Sequence, residues 1–251
     1  MKLNKIKIWI KVMFSFIMSL NCCKKAKILS AEETISVIVK DKKSMIRLGD
    51  GEFNILQGKD VHYQKYSAEL KTQFEDIIGN YLNNPKQASY MICMPGEFFI
   101  CNGLKLIKKR VYVASWSSSR YIFKKKYDKD VTYGDAFLFA NGNEKIYSEI
   151  WTNTGVKNII FVHNQEIYAK EFEEKYKIPT ESVVIPPRDA FENSEDILKK
   201  IIKISSEKND LLVLISAGPC AKYLVHELAS NGIWAIDTGH CWDSPLRLMC
   251  K

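Results

Sequence analysis

The chain of 251 residues is 46% hydrophobic and 12% aromatic, enough to bury a core of ordinary size, which excludes a disordered tail or a disulfide-stapled mini-protein. Lys and Arg number 37 against 29 Asp and Glu, a net charge of +8, but Lys2, Lys5, Lys7, Lys11, Lys24, Lys25 and Lys27 all precede the first acid, Glu32. The remainder is close to neutral, so the basic excess belongs to the N-terminus, and no nucleic-acid partner is expected.

Residues 1–27 form a basic, apolar segment. Its uncharged stretch, Val12 to Leu20, falls well short of the roughly 20 apolar residues a spanning helix needs. A basic stretch before an apolar one resembles a signal peptide, but no small-x-small cleavage site follows. That reading is kept as the lesser one beside two others: a helix on an anionic membrane surface, giving peripheral contact with the inner face, or a helix packed on the domain. Seven cysteines (Cys22, Cys23, Cys93, Cys101, Cys220, Cys241 and Cys250) contain no CxxC pair and no zinc-like spacing, and read as reduced thiols of a cytoplasmic protein. The adjacent Cys22 and Cys23 read as a lipidation site or as buried small residues. From 28 to 251 no linker, repeat or low-complexity tract appears, so a single domain is expected.

Ser30 with Glu33 is a capping box opening a helix to about Lys40, and Met45 to Leu48 reads as a strand. Residues 68–83 carry a helical apolar face, and Tyr90 to Met94 reads as a strand ended by Pro95 and Gly96. Beyond these, β-rich runs at 158–163, 182–186, 211–216 and 234–237 alternate with helical segments near 165–176, 194–206 and 219–230. The alternation predicts an α/β fold with a largely parallel sheet. Ligands of such sheets lie beyond the carboxyl ends of the strands.

The first long strand ends in RLGDGEF, with Gly49 and Gly51 bracketing Asp50 and with Glu52 two residues on. Two carboxylates at this spacing on a Gly-permitted turn can share a hard cation, Mn²⁺ or Mg²⁺, and Arg47 is a phosphate partner; the plainer alternative is a turn with Asp50 capping the next helix. Gly218 and Pro219 lie between a strand and a helix N-terminus, a geometry that receives phosphates and also serves as an ordinary connection. AIDTGHCWD places Asp237, His240 and Asp243 in one loop, with His240 able to meet a diphosphate. Asp135 in YGDAF is a strand-end carboxylate or a turn residue. Basic clusters at Lys108 to Arg110 and Lys124 to Lys126 read as solvated helix ends or as contacts to an anionic acceptor or membrane. The hydroxyls and arginine of SWSSSR, 115–120, offer phosphate donors but no nucleophile with its base.

RLGDGEFNILQGK (47–59) with YQKY (63–66), YGDAF (133–137) and SAGPCAKYLVHELASNGIWAIDTGH (216–240) together resemble the GT-D class of bacterial glycosyltransferases, in order and spacing, from Ser30 to His240. The resemblance implies a Rossmann-like, three-layer α/β domain that moves a hexose, glucose foremost, from a UDP-sugar donor to a hydroxyl of a glycan or glycoconjugate acceptor. Under it Asp50 and Glu52 match the DxE metal pair. Arg47, Gly49, Gly51, Gly218, Pro219 and His240 would surround the donor. Asp135 would serve as the base of an inverting transfer, with Glu166 and Asp189 as rivals. Cys220 stands where a Thr or Ser is expected to reach a phosphate. Two other classes share these residues: a catalytically silent nucleotide-binding or membrane-recruitment module, and a metal-dependent phosphoesterase.

Overall fold

The structure is a computed structural model that describes residues 2–245 and 247, with side chains from residue 6 onward; Cys250 lies outside the described residues. In chain order the elements are α1 (Lys2–Met18), β1 (Lys27–Ile28), α2 (Ala31–Asp41), β2 (Ser44–Arg47), α3 (Asp50–Leu56), α4 (Ala68–Asn83), β3 (Tyr90–Met94), α5 (Gly96–Ile100) and α6 (Arg110–Ile122). There follow β4 (Thr132–Asp135), α7 (Glu144–Tyr147), α8 (Glu149–Thr152), β5 (Asn158–His163), α9 (Ile167–Tyr176), β6 (Thr180–Val184), α10 (Ser194–Ser205), β7 (Leu211–Ile215), α11 (Cys220–Ser230) and β8 (Ala235–Asp237). The strands form one sheet in the order β1-β4-β3-β2-β8-β7-β5-β6. Every pairing among them is parallel.

Alternation along the central strands explains their unbroken apolar sequence. Ile160, Val162, Val213 and Ile215 enter one core with Phe53 of α3, Phe74 of α4, Ile197 of α10 and Leu224 of α11. Their neighbours Ile159, Phe161, Leu212 and Leu214 enter a second core with Ile38 of α2, Trp151 of α8 and Phe172 of α9. Helices therefore cover both faces, and burying both sides requires apolar residues at odd and even positions alike. This is the three-layer α/β architecture expected from the alternation.

The capping box is formed: Glu33 N–H donates to Ser30 Oγ at 3.1 Å and Ser30 N–H to the Glu33 carboxylate at 2.9 Å. The strand expected at 182–186 begins earlier, at Thr180, because Thr180 and Glu181 pair with Ile159 and Ile160 of β5. It is an edge strand with polar positions at its start, so its apolar run places the five-residue strand two residues too late. The run of helices from α5 to α8 carries no isolated signature of its own.

α1 lies against α6, with Phe14 edge-on to Tyr121 at 5.7 Å and Phe16 buried. The chain after it is tied down by polar contacts. Arg120, fully buried, donates to the carbonyls of Ser19, Leu20, Phe98 and Cys101. The Asp128 carboxylate accepts the backbone N–H groups of Lys24, Lys25 and Ala26 at 2.9 Å each. The phosphate role considered for Arg120 is thus corrected: its guanidinium is spent on buried carbonyls. Cys22 is buried, its thiol donating to Arg120 O, which removes it from lipidation. No helix among the described residues is long and apolar enough to cross a membrane.

Candidate functional site

The chain runs outward from β2 through β3 to β4 and returns from the other edge through β7 to β8, so the sheet order reverses between β2 and β8. A crevice opens beyond the strand ends at such a switch point. Here it receives the loops after β2 (Leu48–Gly49), after β7 (216–219) and after β8 (238–243). Arg47, Gly49, Asp50, Gly51, Glu52, Gly218 and His240 line one cleft. Tyr63 and Lys222 line it too. Pro219 is buried behind it, at the N-cap of α11.

The two glycines after the last strands have steric reasons. Gly218 has φ +53°, and a Cβ there would meet the Tyr63 ring at 2.8 Å. Gly239 has φ +56°, and a Cβ would lie 2.6 Å from the Arg47 guanidinium. Both residues thus let aromatic and cationic groups approach the backbone where side chains are excluded. Arg47 donates from Nη1 to Thr238 O at 3.0 Å, while its buried Nε has no partner among the described residues. An unpaired buried guanidinium N–H at a cleft is a donor for an anionic ligand.

Behind the cleft lies an ion-pair network of Glu52, Lys222 and Asp237, all at most 6% exposed. Lys222 Nζ sits 3.0 Å from Glu52 Oε1 and 3.0 Å from Asp237 Oδ2. Glu52 Oε2 accepts Gly49 N–H at 2.7 Å, and Asp237 accepts the N–H groups of Arg47 and Gly239. Burial acts to deprotonate Lys222, but Asp237 and then Glu52 outweigh it and hold the ammonium charged. Sequence reasoning missed Lys222; the available signal was a single lysine inside the apolar helix CAKYLVHELA. It also passed over Tyr63, whose phenol burial pushes up to about 12, with the Glu52 charge adding to it, so the hydroxyl stays protonated at the cleft.

Asp50 differs from Glu52. Burial, and then the charge of Glu52, raise its carboxyl above the usual range, opposed by the N–H groups of Gly51 and Asp50 itself and by the Ser115 hydroxyl. A carboxylate so placed gains from a cation. No group of three or more His, Cys, Asp or Glu converges into a metal cage among the described residues. Mg²⁺ and Mn²⁺ commonly take one or two carboxylates and complete their shells with substrate phosphates and water. Asp50 fits that donor set. Glu52 stands behind it with Lys222 already on one oxygen, so the pair is unequal: one open carboxylate and one compensated one.

Asp135 ends β4, beside the cleft and not in it. It lines a neighbouring hollow with Ser30, Glu33, Gly96, Glu97 and Lys105, while Ala136 and Phe137 line the cleft itself. Burial, only partly offset by the Phe137 N–H and by Arg47, pushes its carboxyl up to about 6. The rivals are placed otherwise. Glu166 is paired with Lys170 at 3.0 Å on the surface, and Asp189 accepts Lys65 N–H at 2.7 Å and so fixes the Tyr63 loop. Cys220 is fully buried and its thiol is pushed up to about 12 by burial, so it packs in the core and offers no phosphate contact.

A second hollow adjoins the cleft through Tyr63, Gly218, Gly239 and His240, and continues to His163, Asn164, Pro186 and Arg188. His240 meets Tyr63 edge-on at 5.6 Å, and burial lowers the His163 pKa while its Nδ1 accepts Gln165 N–H at 3.0 Å. The two spaces together form one crevice, with Arg47, Asp50, Glu52 and Lys222 at one end and His163, Asn164, Pro186 and Arg188 at the other.

The fold and this crevice define an α/β protein that takes its ligand at the switch point of a parallel sheet. The family described as "Glycosyltransferase GT-D fold" matches residues 45–244, and the chain belongs to it. It is 25% identical over 229 residues to Glycosyltransferase GlyD of Streptococcus pneumoniae serotype 4, covering 83% of this chain and 26% of that protein. It is 22% identical over 235 residues to Probable glycosyl transferase Gly of Streptococcus gordonii, covering 85% and 32%. The chain thus spans about a quarter to a third of the length of these curated relatives. Among solved structures, it superposes with a TM-score of 0.71 and 22% identity on "The highly conserved domain of unknown function 1792 has a distinct glycosyltransferase fold", covering 91% of this chain and 82% of that one. A DUF1792 glycosyltransferase from Streptococcus sanguinis gives a TM-score of 0.67 at 21% identity, covering 86% and 82%.

Proposed function

We propose that the chain is a glycosyltransferase that moves a hexose, glucose foremost, from a UDP-sugar to a hydroxyl of a glycan or glycoconjugate. The observation that carries this is the partnerless Arg47 Nε held over Gly239, beside the open carboxylate of Asp50, at the switch point of the sheet. In this reading the diphosphate lies against Arg47, His240 and the positive end of α11, and the nucleoside occupies the hollow toward His163. The Lys222 network fixes Glu52 and the Gly49 turn, and so aims Asp50. Asp50, supported by Glu52, would hold Mn²⁺ or Mg²⁺, which would supply Lewis-acid stabilisation of the departing diphosphate. Asp135, with its raised pKa, takes the proton of the acceptor hydroxyl from the adjoining hollow. The chain works as a peripheral protein at the cytoplasmic membrane face, through residues 1–27.

The test is release of nucleoside diphosphate from a panel of nucleotide sugars by the purified chain with Mn²⁺. Release from one UDP-sugar, absent in Asp50→Asn and after chelation, is the expected result. Failure of UDP to bind in calorimetry overturns the reading. Binding without release points to the silent module, and cleavage of simple phosphate esters to the phosphoesterase.

A further inference from the structure

We propose that α1 and the turn leading into α6 form one docking face for an anionic lipid bilayer, which deepens the peripheral-membrane reading above by naming the surface and its lipid. Among the exposed apolar residues of α1, Ile8 (60%) and Met18 (42%) stand apart from Ile6 (57%), Ile10 (63%), Met13 (43%), Phe14 (53%) and Ile17 (59%). At about 100° per residue these five fall on a single stripe. Ser15, Phe16 and Ser19 lie on the opposite side and are buried toward α6. Exposed Lys7 and Lys11 border the stripe along one edge.

The stripe does not end with α1. Met13 shares a groove with Trp9, Phe16, Ile107 and Val113, where the Arg110 guanidinium lies 4.6 Å from the Trp9 ring centre. Leu104, Ile107 and Val111 are each nearly 60% exposed, interleaved with exposed Lys105, Lys108, Lys109 and Arg110. Neither packed segment contains an acid: none occurs before Glu32, and none between Glu97 and Asp128. The face consists of large apolar side chains bordered by cations alone.

That composition selects among occupants. A nucleic acid would meet the cations and leave the apolar stripe in water. A second copy of the chain would set like charge against like charge. An anionic bilayer takes the apolar side chains at the acyl boundary and the lysines at the headgroups. With no helix among the described residues long and apolar enough to cross, α1 lies in the interface plane. α6 carries the consequence inward: Trp116 lines the cleft and the Ser115 hydroxyl bonds Asp50. Docking therefore holds the donor cleft about two helix diameters, ~20 Å, from the lipid surface.

The experiment is co-sedimentation of the full chain with vesicles of phosphatidylglycerol in phosphatidylcholine, against pure phosphatidylcholine, at low and high salt. Binding is expected only with phosphatidylglycerol, weaker at high salt. It falls about fivefold for each charge removed in Lys108→Gln/Lys109→Gln. Ile10→Glu/Ile17→Glu abolishes it, with release of nucleoside diphosphate in solution unchanged in both variants. No binding, equal binding to the zwitterionic vesicles, or wild-type binding by both variants overturns the proposal. So does self-association in sedimentation velocity that Ile10→Glu/Ile17→Glu removes while vesicles are ignored. Vesicle binding without donor turnover sinks the catalytic reading and leaves this one standing.

Discussion

Lys222 bridges two carboxylates that water does not reach, so removing it should cost more than any single contact it makes. Lys222→Met leaves Glu52 and Asp237 charged and unpaired, and breaking a buried pair in this way costs about 3–5 kcal/mol. For a chain of this size that lowers Tm by roughly 10 °C. The double variant Lys222→Met/Asp237→Asn should recover part of the loss, since one orphaned charge is gone; additive losses would show that the pair is not coupled. Asp135 gives a pH prediction of opposite character. Its folded pKa, about 6, lies above the unfolded value, so the folded state holds a proton the unfolded chain has lost between about pH 4 and 6. Stability from this group therefore falls as pH rises through that window, and Asp135→Asn should stabilise the protein at pH 7 by the order of 1 kcal/mol. If Asp135 is the base, kcat/KM falls tenfold per unit below about pH 6 in the parent. A flat acid limb removes it from that role.

At the scale of elements, the turns on either side of β8 depend on glycines for two separable reasons, left-handed backbone and close approach. Gly232 has φ +72° with open space around it, whereas Gly239 has φ +56° with the Arg47 guanidinium against it. Gly232→Ala should cost about 1 kcal/mol in chemical denaturation and leave UDP affinity unchanged. Gly239→Ala should add displacement of Arg47 and weaken UDP binding by about ten- to hundredfold in calorimetry. Equal effects of the two would mean that Arg47 is not a ligand. The same loops show what sequence makes legible. Elements with their own signature were readable: the capping box of α2, the apolar face of α4, and the runs of β5 and β7, whose two-sided burial leaves no polar position. Ser19 and Leu20 lie about a hundred residues from Arg120, as Lys24 to Ala26 do from Asp128, and only the fold reveals that these side chains anchor the segment before β1. Lys222 was hidden likewise, because its two partners belong to α3 and β8.

At the scale of the molecule, the crevice lies where the two halves of the sheet diverge, with β2, β3 and β4 on one side and β8, β7, β5 and β6 on the other. Asp50 comes from the first half, and Gly218, Lys222 and His240 from the second. A ligand in the crevice therefore touches both halves and binds only when they are assembled, so its binding energy adds to folding stability. At a hundredfold excess over Kd this linkage is worth about 2.7 kcal/mol. For a domain of this length it corresponds to a Tm rise of roughly 5–10 °C. UDP with Mn²⁺ should produce that rise, EDTA should reduce it, and Asp50→Asn should abolish the part that EDTA removes. Ligands confined to one side of the crevice separate the contributions. Under the proposed function uridine would reach only the hollow near His163 and should give a small rise that EDTA does not alter, because it lacks the phosphates assigned there to Arg47 and Asp50. If UDP and uridine raise Tm equally, the cationic end of the crevice takes no part in binding, and the partnerless Arg47 Nε has some other role.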